Sequence, residues 1–76
     1  MTIEKALELV KINASEITPD KKKGCEDCVL FGTYKNEQIS VYESRGNFVI
    51  ELGIGQKMYR VYKDSGQVED FEIIVA

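Results

Sequence analysis

Residues 38–52 have the sequence QISVYESRGNFVIEL. Apolar side chains recur at every second position on both sides of residues 44–47, and this period of two is typical of strands that bury one face. Gly46 gives the central segment a residue that tolerates the positive φ of tight hairpin turns. The stretch therefore predicts a β-hairpin with strands over residues 38–44 and 47–52.

The same alternation continues on both sides of this hairpin. Residues 64–67 form a second glycine-containing turn signal, residues 35–37 form a weaker one, and residues 53–55 separate the third strand from the fourth. Residues 18–28 are expected to be a connection without a strand. The pattern predicts three further strands, over residues 29–35, 57–63 and 68–75.

The N-terminal segment has helical periodicity instead. Apolar residues at spacings of three and four predict one amphipathic helix over residues 3–17. Thr2 is a suitable N-cap, and Pro19 cannot continue a helix. Ile12 points away from the apolar stripe and Leu9 lies on its flank, so both are predicted to be exposed, with contact to a partner as the alternative. The stripe consists of Ile3, Ala6, Leu7, Val10, Ala14 and Ile17.

These elements predict an α+β fold, in which an N-terminal amphipathic helix packs on an antiparallel meander of four to five strands. Five strands span about 20–25 Å, whereas a helix with its side chains is about 10–12 Å wide. A single helix therefore cannot cover the sheet. The sequence predicts either a strongly curled sheet or a homodimer in which a second copy covers the remainder.

Alternation also assigns the strand residues to two faces, and a shift of one residue in any strand would exchange its two sets. The inner face, which receives the helix, is predicted to carry Phe31, Ile39, Val41, Phe48, Ile50, Leu52, Tyr59, Val61, Phe71, Ile73 and Val75. The outer face is predicted to carry Leu30, Tyr34, Ser40, Tyr42, Val49, Glu51, Met58, Arg60, Tyr62, Asp70 and Glu72.

Length and charge set further bounds. A chain of 76 residues with 43% hydrophobic residues is expected to form a single domain, residues 1–76, with a modest core. The net charge of −3 disfavours nucleic-acid binding, and Lys21-Lys22-Lys23 is best explained as a solvated loop. There is no apolar run of about 18 residues, so no membrane span is expected. Glu4 and Glu8 interrupt the apolar stretch that a signal peptide requires, so we expect a chain that is either cytosolic or already processed, and we favour a cytoplasmic protein.

Cys25-Glu26-Asp27-Cys28 is the motif with the clearest link to metal or redox chemistry. A structural zinc site takes four ligands, and the chain has two cysteines and no histidine, so such a site would need a dimer. Redox dithiols favour a helix N-terminus directly after a strand, whereas this pair precedes a strand. A disulfide closing the short loop is a further alternative. We favour two loop cysteines, with Cys28 partly in the core, and expect no metal and no cofactor.

The predicted outer face groups tyrosine with arginine. Both residue types are enriched at protein interfaces, because they combine a large contact area with a polar end. We therefore predict Tyr34, Tyr42, Arg60 and Tyr62 as partner-binding residues. The alternative is that tyrosine merely suits a half-exposed strand.

Residues 3–9, IEKALEL, and residues 59–68, YRVYKDSGQV, resemble the helix and the final hairpin of PepSY-type domains. The resemblance covers about a third of the chain. It implies an exported domain associated with peptidase inhibition or with sensing.

Together these features favour a small non-enzymatic protein-binding module, an inhibitor or adaptor of a size common among phage and mobile-element products. No histidine is present and no enclosed polar cluster is evident, which disfavours an enzyme. One alternative is a metal-binding or redox module that uses Cys25 and Cys28 in a dimer. The PepSY-like inhibitory or sensing domain is a further alternative, and nucleic-acid binding through the lysine run and the tyrosine face is a third.

Overall fold

The structure is a computed structural model that describes residues 1–20, 28–53 and 57–71, with the backbone alone at Phe71. A short helix, α1, comes first and is followed by a 3₁₀ turn. The elements are α1 (Ile3–Leu9), the 3₁₀ turn (Ala14–Glu16), β1 (Thr18–Pro19), β2 (Cys28–Tyr34), β3 (Glu37–Glu43), β4 (Asn47–Leu52), β5 (Lys57–Tyr62) and β6 (Val68–Phe71).

Within the described residues the strands form one antiparallel meander in the order β1 to β6. The predicted α+β class is confirmed, and β2 to β6 lie close to the predicted strands. The sheet differs from the prediction in two respects: it has six strands and it is an open sheet. The additional strand is β1, which pairs Thr18 with Thr33 and Pro19 with Gly32 in a segment predicted to be a connection.

The core lies between α1, the segment that follows it, and the inner face of the sheet. Leu7 and Ala6 of α1 are fully buried, as are Val41, Ile50 and Val61 of the central strands. These positions agree with the predicted inner face of β3, β4 and β5. The complete set of buried apolar residues is Ala6, Leu7, Ile12, Ile17, Tyr34, Ile39, Val41, Phe48, Ile50 and Val61.

The helix begins as predicted and ends much earlier. The Thr2 side chain accepts a hydrogen bond from the Lys5 amide at 3.2 Å, as an N-cap does. At the other end Lys11 has φ 64°. Its amide donates to the carbonyl of Glu8, and the Ile12 amide donates to that of Leu7, both at 2.9 Å. This pair of hydrogen bonds is the Schellman motif, which terminates α1 at Leu9.

The Schellman motif overturns the predicted placement of Ile12. A helix continued to residue 17 would point Ile12 away from the sheet. The left-handed Lys11 instead reverses the chain direction and brings Ile12 back to the core, where it is 5% exposed. A hydrophobic contact between these two motif positions, here Ile12 and Leu7, frequently accompanies the hydrogen bonds. Leu9 is half-buried against the core as well.

Replacing Lys11 by glycine is expected to stabilise the domain by about 0.5–1 kcal/mol. A non-glycine residue in the left-handed region costs roughly 1–2 kcal/mol, and the greater unfolded-state entropy of glycine offsets part of the gain. Urea denaturation measures the difference. The matched control is Lys5→Gly within α1, which is expected to destabilise by about 1 kcal/mol. Equal effects of the same sign at both positions would contradict the motif.

The backbone conformations of the turns do not follow the strength of their sequence signals. Lys35 and Asn36 have φ 47° and 66°, so the turn with the weaker sequence signal is the two-residue hairpin loop with positive φ at both positions. Gly66 has φ 73°, as predicted for its turn. Gly46 does not have positive φ, and the hairpin there closes through the Ser44 amide, which donates to the Asn47 carbonyl at 2.9 Å.

In β2 the two predicted faces are exchanged. Leu30 pairs with Val41 and Gly32 pairs with Ile39, so the inner face receives Leu30, Gly32 and Tyr34. Phe31 pairs with Ser40 on the outer face instead. The predicted inner position of Phe31 and the predicted outer positions of Leu30 and Tyr34 are therefore wrong. The β2–β3 register also shifts between Cys28 and Leu30, with the intervening Val29 51% exposed.

In β6, too, the two predicted faces are exchanged. Asp70 pairs with Tyr59 of the inner face, whereas it was predicted on the outer one. The backbone register places Phe71 opposite Met58, and the side chain of Phe71 is not described. The predicted positions of Glu72, Ile73 and Val75 lie outside the described residues.

The sheet is wider than α1, and the chain that follows α1 covers part of the inner face that the helix does not reach. The helix has seven residues, which gives a length of about 10 Å, and its main sheet contact is with β4. Ile12, Ala14 and Ile17 extend the inner layer beyond it. Among the described helices, none has the length and apolar character to cross a membrane.

Candidate protein-binding face

The outer face is the side of the sheet opposite α1, and strand register places its side chains in rows. One row runs from Phe31 through Ser40 and Glu51 to Met58. The next runs across Tyr42, Val49, Arg60 and Glu69, and Tyr62 stands beside it, opposite Asn47. Because α1 and the 3₁₀ turn pack on the inner face, none of the described elements lies over the outer one.

The structure brings together most of the predicted partner-binding residues. Tyr42, Arg60 and Tyr62 lie on the outer face, and each is partly exposed. Tyr34 does not join them. It is 7% exposed in the core, and Lys35 Nζ lies 5.3 Å from the centre of its ring. Alternation within β2 left its side ambiguous, because apolar residues occupy both of its alternating sets.

Arg60, Tyr62 and Glu69 form a polar network at the β5–β6 side of this face. Arg60 Nη1 lies 3.4 Å from Glu69 Oε1, and the Tyr62 hydroxyl donates a hydrogen bond to the same oxygen. The hydrogen bond with Tyr62 is the main cause that raises the pKa of Arg60, and the charge of Glu69 adds to it, while desolvation opposes the shift. The network holds two side chains that are well suited to a protein contact in defined positions.

The centre of the face is largely apolar. Ser40 is only 2% exposed although it lies on the outer side, because the larger Phe31 and Glu51 flank it in the same row. Met58 and Val49 continue the apolar surface across β4 and β5, and both are half-exposed. Phe31 and Glu69 were not predicted as members of this face. The turn at Gly66 was a signal that could have placed Glu69. Pairing β5 with β6 across this turn puts Glu69 opposite Arg60.

Two depressions in the described surface lie away from the outer face. One, between α1 and the 3₁₀ turn, is lined by Glu4, Glu8, Lys11, Ile12, Asn13 and Ala14. Another is an apolar groove lined mainly by Ile3, Leu7, Ile17, Pro19 and Val29.

The cysteine motif is only partly described. Cys28 begins β2 opposite Tyr42 and is half-buried at the margin of the outer face, whereas it was predicted to belong partly to the core. Cys25 and Lys21-Lys22-Lys23 lie outside the described residues. Within residues 1–20, 28–53 and 57–71, no group of three or more histidine, cysteine, aspartate or glutamate side chains is arranged to hold a metal ion.

Comparison with known proteins found no match for the chain. No protein-family model, no curated protein and no solved structure matches the chain. The helix and hairpin that resemble PepSY-type domains do form, as α1 and as β5 with β6. That resemblance nevertheless stays a hypothesis, since no family model supports it.

Proposed function

We propose that this chain is a small non-enzymatic protein-binding module, acting in the cytoplasm as an inhibitor or adaptor, and that the outer face is the surface that contacts its partner. One observation supports the proposal above the others. Tyr42, Met58, Arg60 and Tyr62 stand side by side on a sheet face over which no described element packs. Tyrosine and arginine supply much of the binding energy at protein interfaces, and methionine is enriched there too.

The size of the face suits a protein rather than a small molecule. Ligands of drug size bind in concave sites that bury most of their surface. The outer face is instead a broad sheet surface formed by β2 to β6. Standard protein interfaces bury about 800 Å² on each partner, an area that would need most of the rows described above.

Tyr62→Ala and Tyr42→Ala are each expected to weaken partner binding at least tenfold, while the domain stays folded. Large aromatic side chains at the centre of an interface typically contribute 1–2 kcal/mol or more, which corresponds to about a tenfold change in affinity. Both residues lie on the face opposite the core, so their removal costs little stability. Affinity capture from the native host, with wild type and both variants quantified by mass spectrometry, measures the loss.

The control for this experiment is Lys5→Ala, which changes an exposed side chain of α1 on the other side of the molecule. A protein captured by wild type and by Lys5→Ala, and lost with both tyrosine variants, supports the proposal. Capture that is equal in all four proteins would refute the outer face as the binding surface. Circular dichroism confirms that each variant is folded.

Self-association through the outer face is the alternative, with a second copy of the chain as the occupant. The apolar surface expected from the sequence on Ile12 is not available for it, because Ile12 is in the core. Sedimentation at micromolar concentration distinguishes a monomer of 8.6 kDa from a dimer. The metal or redox alternative depends on Cys25, which is not among the described residues, and nothing in the described part favours it.

A further inference from the structure

Glu51 is the feature of the outer face that the proposed binding function does not yet explain. It lies in the central row between Ser40 and Met58, and it is half-buried although no described element covers it. Within the described part of the chain, its carboxylate has neither an ion pair nor a hydrogen-bond partner. It is therefore an unpaired charge set into a mostly apolar surface.

The other charges on this face do not balance Glu51. Strands β2 to β6 place Arg60 and Glu69 on the outer face, and these two form an ion pair with Nη1 and Oε1 3.4 Å apart. The Tyr62 hydroxyl also engages Glu69. Among the described residues, the face consequently presents one net negative charge, at its centre, with apolar and aromatic side chains around it.

Burying an unpaired carboxylate is costly, because the charge loses its hydration without gaining a partner. A partner that covers this face must therefore bring a cation to Glu51. A second copy of the chain is a poor candidate, since it would add another unpaired Glu51, and its Arg60 already contacts Glu69 and Tyr62.

We propose that the outer face binds a partner protein surface that is apolar and carries a lysine or arginine positioned against Glu51. This inference rests on the proposed function and adds the chemistry of the partner to it. Charge complementarity of this kind favours one class of partner over others, because like charges in the same position are strongly disfavoured. An acidic or a purely apolar surface would leave Glu51 unpaired.

The test uses two synthetic amphipathic helical peptides that share a leucine-rich face and differ at one central position of that same face, which carries either lysine or glutamate. Each is titrated into the full chain labelled with ¹⁵N, and the amide shifts are followed. The lysine peptide is expected to shift amides of β3, β4 and β5, and the glutamate peptide is expected to bind at least tenfold more weakly. Glu51→Gln is expected to weaken the lysine peptide roughly three- to tenfold and to reduce its salt dependence.

The matched control is Glu37→Gln, the same change at an exposed residue whose cross-strand partner is the core residue Tyr34. It is expected to leave the affinity for the lysine peptide unchanged. Tyr42→Ala separates the two proposals. If Tyr42→Ala abolishes binding and Glu51→Gln has no effect, the inference about the cation is wrong and the outer face remains the binding surface.

Other outcomes are equally decisive. Amide shifts that map to α1 or to the inner face of the sheet, and not to the outer face, would overturn both proposals. Absence of outer-face shifts with the lysine peptide up to about 1 mM would overturn the inference, while the tyrosine variants still test the proposed function separately. Sedimentation as a dimer that Tyr42→Ala dissociates would assign the face to a second copy and overturn the cationic partner.

Discussion

Phe48→Ala is expected to destabilise the domain by roughly 3–5 kcal/mol. Phe48 is 1% exposed and pairs with Val61 on the inner face, at the centre of the core. Lys63 closes the core over it, with Nζ 4.9 Å from the centre of the ring and 2.7 Å from Glu43 Oε2. Alanine would leave a large cavity that these neighbours cannot fill. A domain of this size is typically stable by about 4–11 kcal/mol, so the variant would be marginal or unfolded.

The control for Phe48 is Phe31→Ala, which removes the same atoms from the outer face. Phe31 is half-exposed and pairs with Ser40, so its loss is expected to cost no more than about 1.5 kcal/mol. Thermal and urea unfolding of both variants gives the comparison. A larger loss at Phe31 than at Phe48 would show that the two faces of the sheet are assigned the wrong way round.

Gly32→Ala is expected to destabilise by about 1–3 kcal/mol and to detach β1 from the sheet. A Cβ atom at residue 32 would lie 2.2 Å from the carbonyl oxygen of Thr18 and 3.0 Å from the Cα of Pro19. Both are backbone atoms, so no rotation of a side chain relieves the contact. The pairing of Thr18 with Thr33 and of Pro19 with Gly32 would be lost. Hydrogen exchange at the Asp20 amide, which donates to the Phe31 carbonyl at 2.9 Å, reports the detachment.

Gly46→Ala is the matched control for this change. A Cβ at residue 46 would meet nothing within 4 Å, and the residue does not have positive φ. The substitution is therefore expected to be neutral or to stabilise slightly, because alanine restricts the unfolded chain. If Gly32→Ala behaved in the same way as Gly46→Ala, the close approach of β1 to β2 would be incorrect.

The sequence placed residues on the correct face of the sheet where the strands alternate cleanly. Tyr42 and Tyr62 follow from the neighbouring Val41 and Val61, since each valine is buried and side chains of adjacent residues point to opposite faces. Arg60 follows in the same way. Tyr34 could not be placed by alternation, because Leu30 and Phe31 are both large and apolar and either could face the core.

The alternation within residues 38–52 by itself determined the central hairpin and the inner positions of Val41, Phe48 and Ile50, and together with the helical periodicity that follows Thr2 it determined the α+β class. This information is local, because the period of two is a property of the extended backbone and holds in any environment. Thr2 as the N-cap and the turn at Gly66 were local signals of the same kind, and the structure confirms both.

Only the tertiary structure decided which face β2 presents and where α1 ends. Gly32 must face inward because the backbone of Thr18 passes directly over it, a contact between segments distant in sequence. Lys11 adopts a left-handed conformation that costs roughly 1–2 kcal/mol, whereas burying Ile12 against the core contributes about 1.5–3 kcal/mol. The gain from burial outweighs the backbone cost, and it exists only once the sheet has formed. For that reason the helical periodicity of residues 3–17 did not reveal that the helix ends at Leu9.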